Sequence, residues 1–312
     1  LDGEAEFLFV DGGSSDDSVA ILRELAALDD RVRVLENPAR RTPHALNIGL
    51  RAARGRFIAR MDAHTIYPPR YLSIGIERLR RGGVDWVSGP ALPVGRDHGS
   101  RRVARALEIP LGRGGARFRD RLEQEHEVDT GFVGIWLRET LERHAGWDEE
   151  WHNDQDMELA ARIRKAGGRI VCIPEMAAQY VPRSTLEALA RQYGTYGMFR
   201  VKTARRHPES LRRSQLLPPG VAVTVAAAVA APSRGLRRSA QAGALLYAAT
   251  LVAAGIRGAR DEVRADAVTL PIIWAVMHLS YGVGFLRACV IEGPPLKALA
   301  GAVRPDPQAS GA

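Results

Sequence analysis

Two potential metal ligands stand two residues apart at the end of a short apolar strand. The sequence pattern predicts the strand over 57–61, and Asp62 and His64 follow it. A carboxylate and an imidazole at this spacing can share one cation, and ligands of open α/β sheets bind in the crevice beyond the strand ends. The position suits a metal that holds the pyrophosphate of a nucleotide. The competing interpretation is an ordinary turn or helix cap, which is the more frequent role of an Asp at a strand end.

A second carboxylate follows the first predicted strand, which covers residues 6–10. Asp11 is followed by Gly12 and Gly13, and glycines allow a ligand to approach the backbone closely. The carboxylate can accept hydrogen bonds from a nucleobase or a ribose. An ordinary turn between strand and helix is the alternative interpretation. The segment lacks the Gly-Lys-Ser/Thr ending of a phosphate-binding P-loop.

A third acidic site lies at the start of a predicted helix in which Leu159 and Ile163 share a face. Asp154 and Asp156 fall in its first turn. Acids at a helix N-terminus are favoured by capping and by the helix dipole. At the edge of a pocket, such a carboxylate can instead act as a general base on a hydroxyl group within hydrogen-bond reach.

The elements that must position these residues alternate strand with helix up to about residue 175, which predicts an α/β fold with a largely parallel sheet. The Arg- and Gly-rich region 89–128, which holds Gly112-Arg113-Gly114-Gly115, is expected to be a long irregular connection or lid, with disorder as the alternative. The predicted strands are 6–10, 31–35, 57–61, 84–88 and 169–173.

Three charge-free runs follow residue 213, at 216–231, 240–256 and 267–286. They are short to adequate for a bilayer, which needs roughly 20 residues per helix, and the third is the strongest candidate. Buried core helices or interfacial helices are the alternative for the first two. Arginines flank every run, so the positive-inside count does not assign an orientation.

Composition narrows the class of partner. The 312-residue chain carries a formal net charge of +8, and its 44 basic residues are dispersed among 36 acidic ones, which argues against nucleic-acid binding. The two cysteines, Cys172 and Cys289, lack metal-ligand spacing and are expected to be free thiols in a reducing compartment. There is no secretory signal in the sequence, which begins almost directly in a strand.

In order and spacing, the motifs of residues 5 to 200 resemble an inverting family 2 glycosyltransferase. They are, in chain order, Phe9-Val10-Asp11-Gly12-Gly13-Ser14-Ser15-Asp16, Ala45-Leu46-Asn47-Ile48-Gly49, Ala53-Arg54-Gly55, Met61-Asp62-Ala63-His64, Gly146-Trp147-Asp148-Glu149 and Gln155-Asp156-Met157-Glu158-Leu159. The chain more closely resembles the bacterial exopolysaccharide glucosyltransferases of the succinoglycan type. That likeness rests on 61–64, Arg191-Gln192-Tyr193 and His278-Leu279-Ser280-Tyr281-Gly282.

The resemblance implies a GT-A-type, Rossmann-like, mostly parallel sheet flanked by helices and followed by membrane helices. It places the catalytic domain at 1–213, hydrophobic helices at 214–290 and a flexible tail at 291–312. Asp156 would be the acceptor base, Asp11 and Gly12 would contact the donor nucleotide, and Asp62 would touch ribose and the metal. His64 would join Asp62 on Mg²⁺ or Mn²⁺. The remaining candidates for acceptor or pocket contacts are Gly131, Trp147, Asp148, Asp154 and Gln192.

The implied reaction transfers a hexose, plausibly glucose, from a UDP-sugar to a lipid-linked saccharide, with inversion, at the cytoplasmic face of the cell membrane. Two other hypotheses remain. A nucleotidyltransferase would need a basic, glycine-rich loop near the start, which the sequence lacks. A non-catalytic membrane scaffold or sugar-binding relative is the alternative from another class.

Four departures from the family pattern qualify the resemblance. His64 stands where a second acid is usual, so the metal preference would shift toward ions that accept nitrogen. Gln155 stands where Glu is common, which leaves Asp156 as the base and Asp154 as a near alternative. The family has a further strand and loop ahead of Asp11, so we expect an N-terminal truncation that would make activity doubtful. The sequence 192–196 lacks the Gln-x-x-Arg-Trp signature of processive enzymes, which favours transfer of one sugar.

Overall fold

The computed structural model describes residues 4–114, 118, 122–259 and 266–303. The chain divides into two compact units. Unit 1 comprises Leu1–Leu92 and Arg117–Gln179, and unit 2 comprises Pro93–Ala116 and Tyr180–Ala312. The expected boundary at residue 213 thus differs from this division, in which the segment from 180 onward groups with the apolar helices.

The first part of the chain alternates strand and helix, as its sequence pattern predicts. Its elements are β1 (Phe7–Asp11), α1 (Ser18–Leu28), β2 (Val32–Glu36), α2 (Thr42–Ala52), β3 (Phe57–Arg60), β4 (Thr65–Ile66), α3 (Tyr71–Arg80), β5 (Trp86–Gly89) and β6 (Ala91–Pro93). Pro93–Ala116 belong to unit 2. After them the chain continues with β7 (His126–Glu127), β8 (Phe132–Leu137), α6 (Arg138–Arg143), α7 (Gln155–Lys165), β9 (Ile170–Cys172) and β10 (Ala178–Tyr180). All five predicted strands are present, as β1, β2, β3, β5 and β9.

The central sheet is mixed, whereas the sequence predicts a largely parallel one. Its strand order is β3-β8-β5-β9-β7. The β5–β9 pair is parallel, but β8 runs antiparallel to both β3 and β5, and β7 runs antiparallel to β9. The expectation of parallel pairing missed β8, the strand that joins β3 to the rest of the sheet. β1 and β2 form a separate parallel pair, and β4, β10 and β6 form a short sheet in that order.

Both faces of the central sheet are buried. Side chains alternate across a strand, so neighbouring residues enter opposite layers. One layer holds Val87, Ile135 and Val171 with Tyr71 of α3, and the other holds the residues beside them in the strands together with α7. That second layer contains three tryptophans and part of α7, and its buried members include Trp86, Trp136, Trp147, Leu159, Ile163 and Ile170.

The region from 89 to 128, expected to be irregular, contains regular structure in its described part. Besides β6 and β7 it holds α4 (His98–Glu108) and α5 (Pro110–Arg113). α4 begins with a reciprocal capping box, in which the Asp97 side chain accepts from the Ser100 backbone and the Ser100 hydroxyl accepts from the Asp97 backbone. Gly112 and Arg113 are helical, and Gly114 ends α5 in the left-handed conformation. Gly115 lies outside the described residues.

Unit 2 is helical, and the rest of its helices are α8 (Leu186–Arg206), α9 (Leu217–Ala230), α10 (Arg234–Gly258), α11 (Asp266–Glu292) and α12 (Leu296–Val303). α8 and α11 approach closely at glycines: a Cβ atom at Gly197 would lie 2.0 Å from the carbonyl oxygen of Tyr281. α12 falls within 291–312, the segment expected to be a flexible tail, and residues 304–312 of that segment lie outside the described part.

Within the described residues, two helices are long and apolar enough to cross a membrane, namely α10 and α11. Half of the apolar window of α11 is buried inside the unit, but only 17% of that of α10, whose Leu245 and Leu246 are exposed. α9, the first of the three charge-free runs, has 14 residues and a length of about 21 Å, which is short of the roughly 30 Å of a hydrocarbon core. α11, which contains the third run, is thus the longer and the better buried of these two helices, and α9 is shorter than a single membrane span requires.

Candidate active site

Two of the predicted acidic residues meet in unit 1, and an arginine joins them. Arg60 Nε and Nη2 donate to the two oxygens of Asp62 at 2.7 and 3.1 Å. Arg60 Nη1 donates to both oxygens of Asp156, at 2.7 and 3.0 Å. The Arg60 side chain is 9% exposed, and the carboxylate side chains of Asp62 and Asp156 are 21% and 25% exposed. One buried guanidinium thus holds two partly accessible carboxylates together.

Local structure explains why these three side chains meet. Arg60 ends β3 and Asp62 lies two residues further on, just beyond the strand, where both of its oxygens are within reach of the Arg60 guanidinium. Asp156 is the second residue of α7, and the helix dipole favours a negative charge there. The Asp62 backbone N–H donates to the Tyr67 hydroxyl at 2.7 Å, which fixes the chain just beyond β3. Burial raises the pKa of Tyr67 to about 12, so its hydroxyl stays neutral.

The electrostatics of the cluster follow from burial and the shared guanidinium. Burial raises the pKa of the Asp156 carboxyl above its usual range, and the positive charge of Arg60 opposes that rise. Burial by itself would lower the pKa of Arg60, but Asp156 and Asp62 outweigh it and raise the pKa. Arg60 therefore remains charged, and burial raises the pKa of Asp156, the direction that favours a general base.

The loop ahead of α7 is held on two sides. Asn47 in α2 binds the backbone of Trp147, accepting from its N–H at 2.9 Å and donating to its carbonyl at 2.7 Å. Arg162 in α7 donates to the carbonyls of His144 and Gly146 while it pairs with the fully buried Glu158. The Trp147 indole N–H lies near Asp156 and lowers the pKa of that carboxyl, although the two groups are not aligned as a hydrogen bond. These contacts set Trp147 beside the candidate base.

Asp11 ends β1, but its carboxylate is engaged by its own loop. It accepts hydrogen bonds from Gly13 N at 2.7 Å, Ser14 N at 3.0 Å and Ser14 Oγ at 2.5 Å. The Ser14 hydrogen bonds hold the pKa of the Asp11 carboxyl below its usual range. Gly12 lies in the same turn, with its Cβ position 3.7 Å from the Arg40 backbone. Asp11 thus stabilises a turn between β1 and α1, as one of the two interpretations predicts. A contact between Asp11 and a nucleotide stays a prediction.

The other predicted site residues occupy varied surroundings. His64 is exposed, and Gly131 is buried where a Cβ atom would lie 2.8 Å from Trp86 and Ser88. The Asp148 side chain accepts from Glu150 N at 3.0 Å. Asp154 precedes α7 in the left-handed conformation and makes no side-chain cap hydrogen bond to the described part of that helix. Gln192 lies in α8 of unit 2, where its amide donates to Tyr196. Gly131 and Asp148 thus support the local chain conformation.

A divalent cation would find few protein ligands here. Within the described ranges no group of three or more His, Cys, Asp or Glu residues is placed to hold a metal. Mg²⁺, however, is commonly bound by one or two carboxylates plus substrate phosphates and water, so a complete protein cage is not needed. Asp62 supplies a hard, partly exposed carboxylate, and His64, two residues further along the chain, is exposed. The residues fit such a shared site, in which Arg60 and the cation would compete for Asp62.

Sequence reasoning missed Arg60, Tyr67 and the role of Asn47. Arg60 carried a usable signal, because a residue two positions before Asp62 in a strand shares its side of the sheet. Tyr67 carried none, since its contact depends on a turn between β3 and α3. Asn47 was part of a recognised motif, but its partner Trp147 lies 100 positions away.

Comparison with known proteins defines the class. The family model described as "Glycosyl transferase family 2" matches residues 2–143. The succinoglycan biosynthesis protein ExoA of Rhizobium meliloti (strain 1021) is 30% identical over 294 residues, or 91% of this chain and 85% of that protein. A mixed sheet flanked by helices, with this sequence relationship, is a GT-A-like glycosyltransferase fold. The chain belongs to glycosyl transferase family 2, and the resemblance to the succinoglycan type is confirmed.

Two further similarities are more distant. A Methanococcus voltae protein named dolichyl N-acetyl-alpha-D-glucosaminyl phosphate 3-beta-D-2,3-diacetamido-2,3-dideoxy-beta-D-glucuronosyltransferase is 24% identical over 204 residues, which is 62% of each chain. The crystal structure of GalNAc-T7 with UDP, GalNAc and Mn²⁺ superposes with a TM-score of 0.45 and 15% identity. That superposition covers 66% of this chain and 45% of the other.

Proposed function

We propose that this family 2 glycosyltransferase moves a hexose, with glucose as the expected sugar, from a UDP-sugar to a lipid-linked saccharide in exopolysaccharide biosynthesis. The observation that carries the proposal is the convergence of Asp62 and Asp156 on Arg60 at one partly exposed site. A carboxylate for the donor and a carboxylate for the acceptor must lie this close if one sugar is to pass between them. The relative named for succinoglycan biosynthesis supports the pathway class.

The proposed reaction is a single displacement with inversion at the anomeric carbon. Asp156 takes the proton of the acceptor hydroxyl as its oxygen bonds to that carbon, and the bond from the carbon to the diphosphate oxygen breaks. The electron pair leaves with UDP. Mg²⁺ or Mn²⁺, held by Asp62 and His64, would neutralise charge on the departing diphosphate. Asp62 also contacts the ribose, and Asp11 and Gly12 line the nucleotide side.

Membrane attachment fits the acceptor. The relative from Methanococcus voltae is named for a dolichyl-linked sugar phosphate, and α10 and α11 here have the length and apolarity of membrane spans. The exposed side chains of α10, such as Leu245 and Leu246, supply a surface suited to lipid. We place the site at the cytoplasmic face, where a nucleotide-sugar donor would reach it. Residues 1–213 would form the catalytic part, 214–290 the membrane part and 291–312 a tail.

The test compares two neighbouring carboxylates in the full chain, purified in detergent. UDP release is measured with a panel of nucleotide sugars and a lipid-linked saccharide acceptor. Asp156→Asn is expected to lower transfer by about 10²–10⁴-fold while UDP binding at saturating Mn²⁺ stays close to wild type. Asp154→Asn, the matched control, should retain most activity because the carboxylate that Arg60 holds near the start of α7 is that of Asp156.

The outcomes separate the hypotheses. Equal transfer by wild type and Asp156→Asn would refute the assignment of the base. Loss of transfer in Asp154→Asn alone would move the role to that residue. Absence of UDP release with every donor, in protein that still binds UDP, would favour a non-catalytic sugar-binding relative.

A further inference from the structure

Arg60 engages all four carboxylate oxygens of Asp62 and Asp156, and the reaction outlined above gives it no part. We propose that Arg60 is a positioning residue that yields Asp62 to the cation of the donor complex and keeps hold of Asp156, so that donor binding and the acceptor base are coupled. This inference rests on the proposed function.

The geometry suits an arginine and no other cation of the standard side chains. Nε and Nη2 form one side of the guanidinium fork, which binds Asp62, and Nη1 on the other side binds Asp156. A planar group with five fixed donors can hold two carboxylates in a set relative orientation. The single ammonium of lysine would approach one carboxylate as a point charge.

The charges require competition at Asp62. A single guanidinium faces two carboxylates, so the cluster carries one excess negative charge when both are ionised. A divalent cation that binds Asp62 meets a positive group on the same two oxygens, and these like charges repel. Cation binding must therefore weaken the contact between Arg60 and Asp62, whereas the contact with Asp156 can persist.

The backbone around the cluster is held, so the exchange needs only side-chain movement. Arg60 pairs with Gly134 across the β3–β8 ladder, and the Asp62 N–H is bound by the Tyr67 hydroxyl. Asp156 sits in the first turn of α7, which packs in the tryptophan-rich layer. A rotation of the Arg60 side chain would thus change the partner of Asp62 without moving either element.

The test measures Mn²⁺ binding without donor, by electron paramagnetic resonance of the full chain in detergent. Removing the competing charge with Arg60→Gln is expected to lower the Kd for Mn²⁺ by at least about fivefold. The same variant should lose about tenfold or more in kcat, with a smaller change in KM for the donor, because Asp156 is no longer held. Arg81→Gln removes an equal charge from an exposed pair with Glu77 and should change neither quantity.

If Arg60 had a purely structural role, Arg60→Gln would weaken Mn²⁺ binding and lower kcat together. Tighter Mn²⁺ binding combined with a lower kcat therefore distinguishes the proposed role from a structural one. A Kd for Mn²⁺ that is unchanged or higher in Arg60→Gln overturns the inference. Arg60→Lys keeps the positive charge, so this variant should fold even if Arg60→Gln does not. We expect its kcat to fall as well, and wild-type kcat in this variant would show that the fork is unnecessary and refute the proposal.

The reciprocal variant is informative even if both Arg60 variants fail to fold. In Asp156→Asn, Arg60 has Asp62 as its one remaining carboxylate in the cluster, so Mn²⁺ should bind at least about fivefold more weakly. An unchanged Kd would refute the coupling. If the variants show these changes in the Kd for Mn²⁺ but the wild type transfers no sugar, the proposed function alone is refuted. If the wild type transfers sugar but binds no Mn²⁺, the coupling alone is refuted.

Discussion

The side chain of Asn47 forms two hydrogen bonds to the backbone of Trp147, one to its N–H at 2.9 Å and one to its carbonyl at 2.7 Å. Both residues are buried. The pair joins α2, which follows β1 and β2, to the loop that leads into α7 and Asp156. It therefore links the two halves of the candidate site through a single amide.

Replacing Asn47 should damage stability and activity together. Asn47→Ala leaves the N–H and carbonyl of Trp147 buried without their partner, at a cost of about 2–4 kcal/mol in the free energy of unfolding. Asn47→Asp keeps the side-chain volume and the acceptor but places a carboxylate next to that of Glu149. It should therefore lose less packing energy than Asn47→Ala, and its loss of stability should grow as pH rises and both carboxyl groups ionise. Thermal unfolding followed by tryptophan fluorescence measures both. Wild-type stability of Asn47→Ala would contradict the role of this pair.

The buried pair of Glu158 and Arg162 should be strongly coupled. Glu158 has no exposed side-chain surface, and Arg162 binds both of its oxygens at 2.7–3.0 Å. Arg162→Met leaves a buried carboxylate uncompensated and should cost about 3–5 kcal/mol of stability. The double variant Arg162→Met with Glu158→Leu should recover much of that loss. Additive losses in a double-mutant cycle would show that the two side chains act independently.

The pH dependence of transfer should show the raised proton affinity of the base. Asp156 must be ionised to accept a proton, and burial raises its pKa. We therefore expect kcat/KM to fall as pH decreases, with a midpoint above the ordinary aspartate pKa of about 3.9. Arg60 lowers this pKa, and Arg60→Gln should therefore move the acidic limb to higher pH. The pH–rate profile of both proteins is the measurement. A limb that stays in place would disconnect Arg60 from Asp156.

Removal of the metal should weaken donor binding if Asp62 serves the cation. We expect chelation to reduce the affinity for a UDP-sugar in calorimetry, and Asp62→Ala to have the same effect without a further loss on chelation. Asp29→Ala, which breaks an exposed pair with Arg31 in the same unit, is the control and should bind normally. Donor affinity indifferent to both treatments would remove the metal from the mechanism.

Close contact between α8 and α11 should make Gly197 sensitive to a single added methyl group. A Cβ atom there would lie 2.0 Å from the Tyr281 carbonyl oxygen, so Gly197→Ala must separate the helices and should cost about 1–3 kcal/mol. Gly220 in α9 has nothing within 4 Å of its Cβ position, and Gly220→Ala should be neutral or slightly stabilising. Thermal unfolding in detergent compares the two, and equal effects would contradict the packing.

The sequence alone was sufficient for the local elements and the chemistry of the candidate residues. Apolar runs bounded by turn residues predicted β1, β2, β3, β5 and β9, because a strand's pattern lies within its own five or six residues. The motif order identified the family, since order and spacing are properties of the chain itself. Composition was misleading in the Arg- and Gly-rich region, which contains the capped helix α4, and the strand β8 was not predicted.

Tertiary structure decided which of these residues act on one another. β8 runs antiparallel between β3 and β5, a pairing that no local pattern specifies, since it depends on hydrogen bonds between distant segments. Arg60 and Asp156 are 96 positions apart and meet only after β3 and α7 pack around the central sheet. The sequence determined that carboxylates stand at strand and helix ends, whereas the fold determined that Asp62 and Asp156 share one guanidinium, because long-range contact is a property of packing.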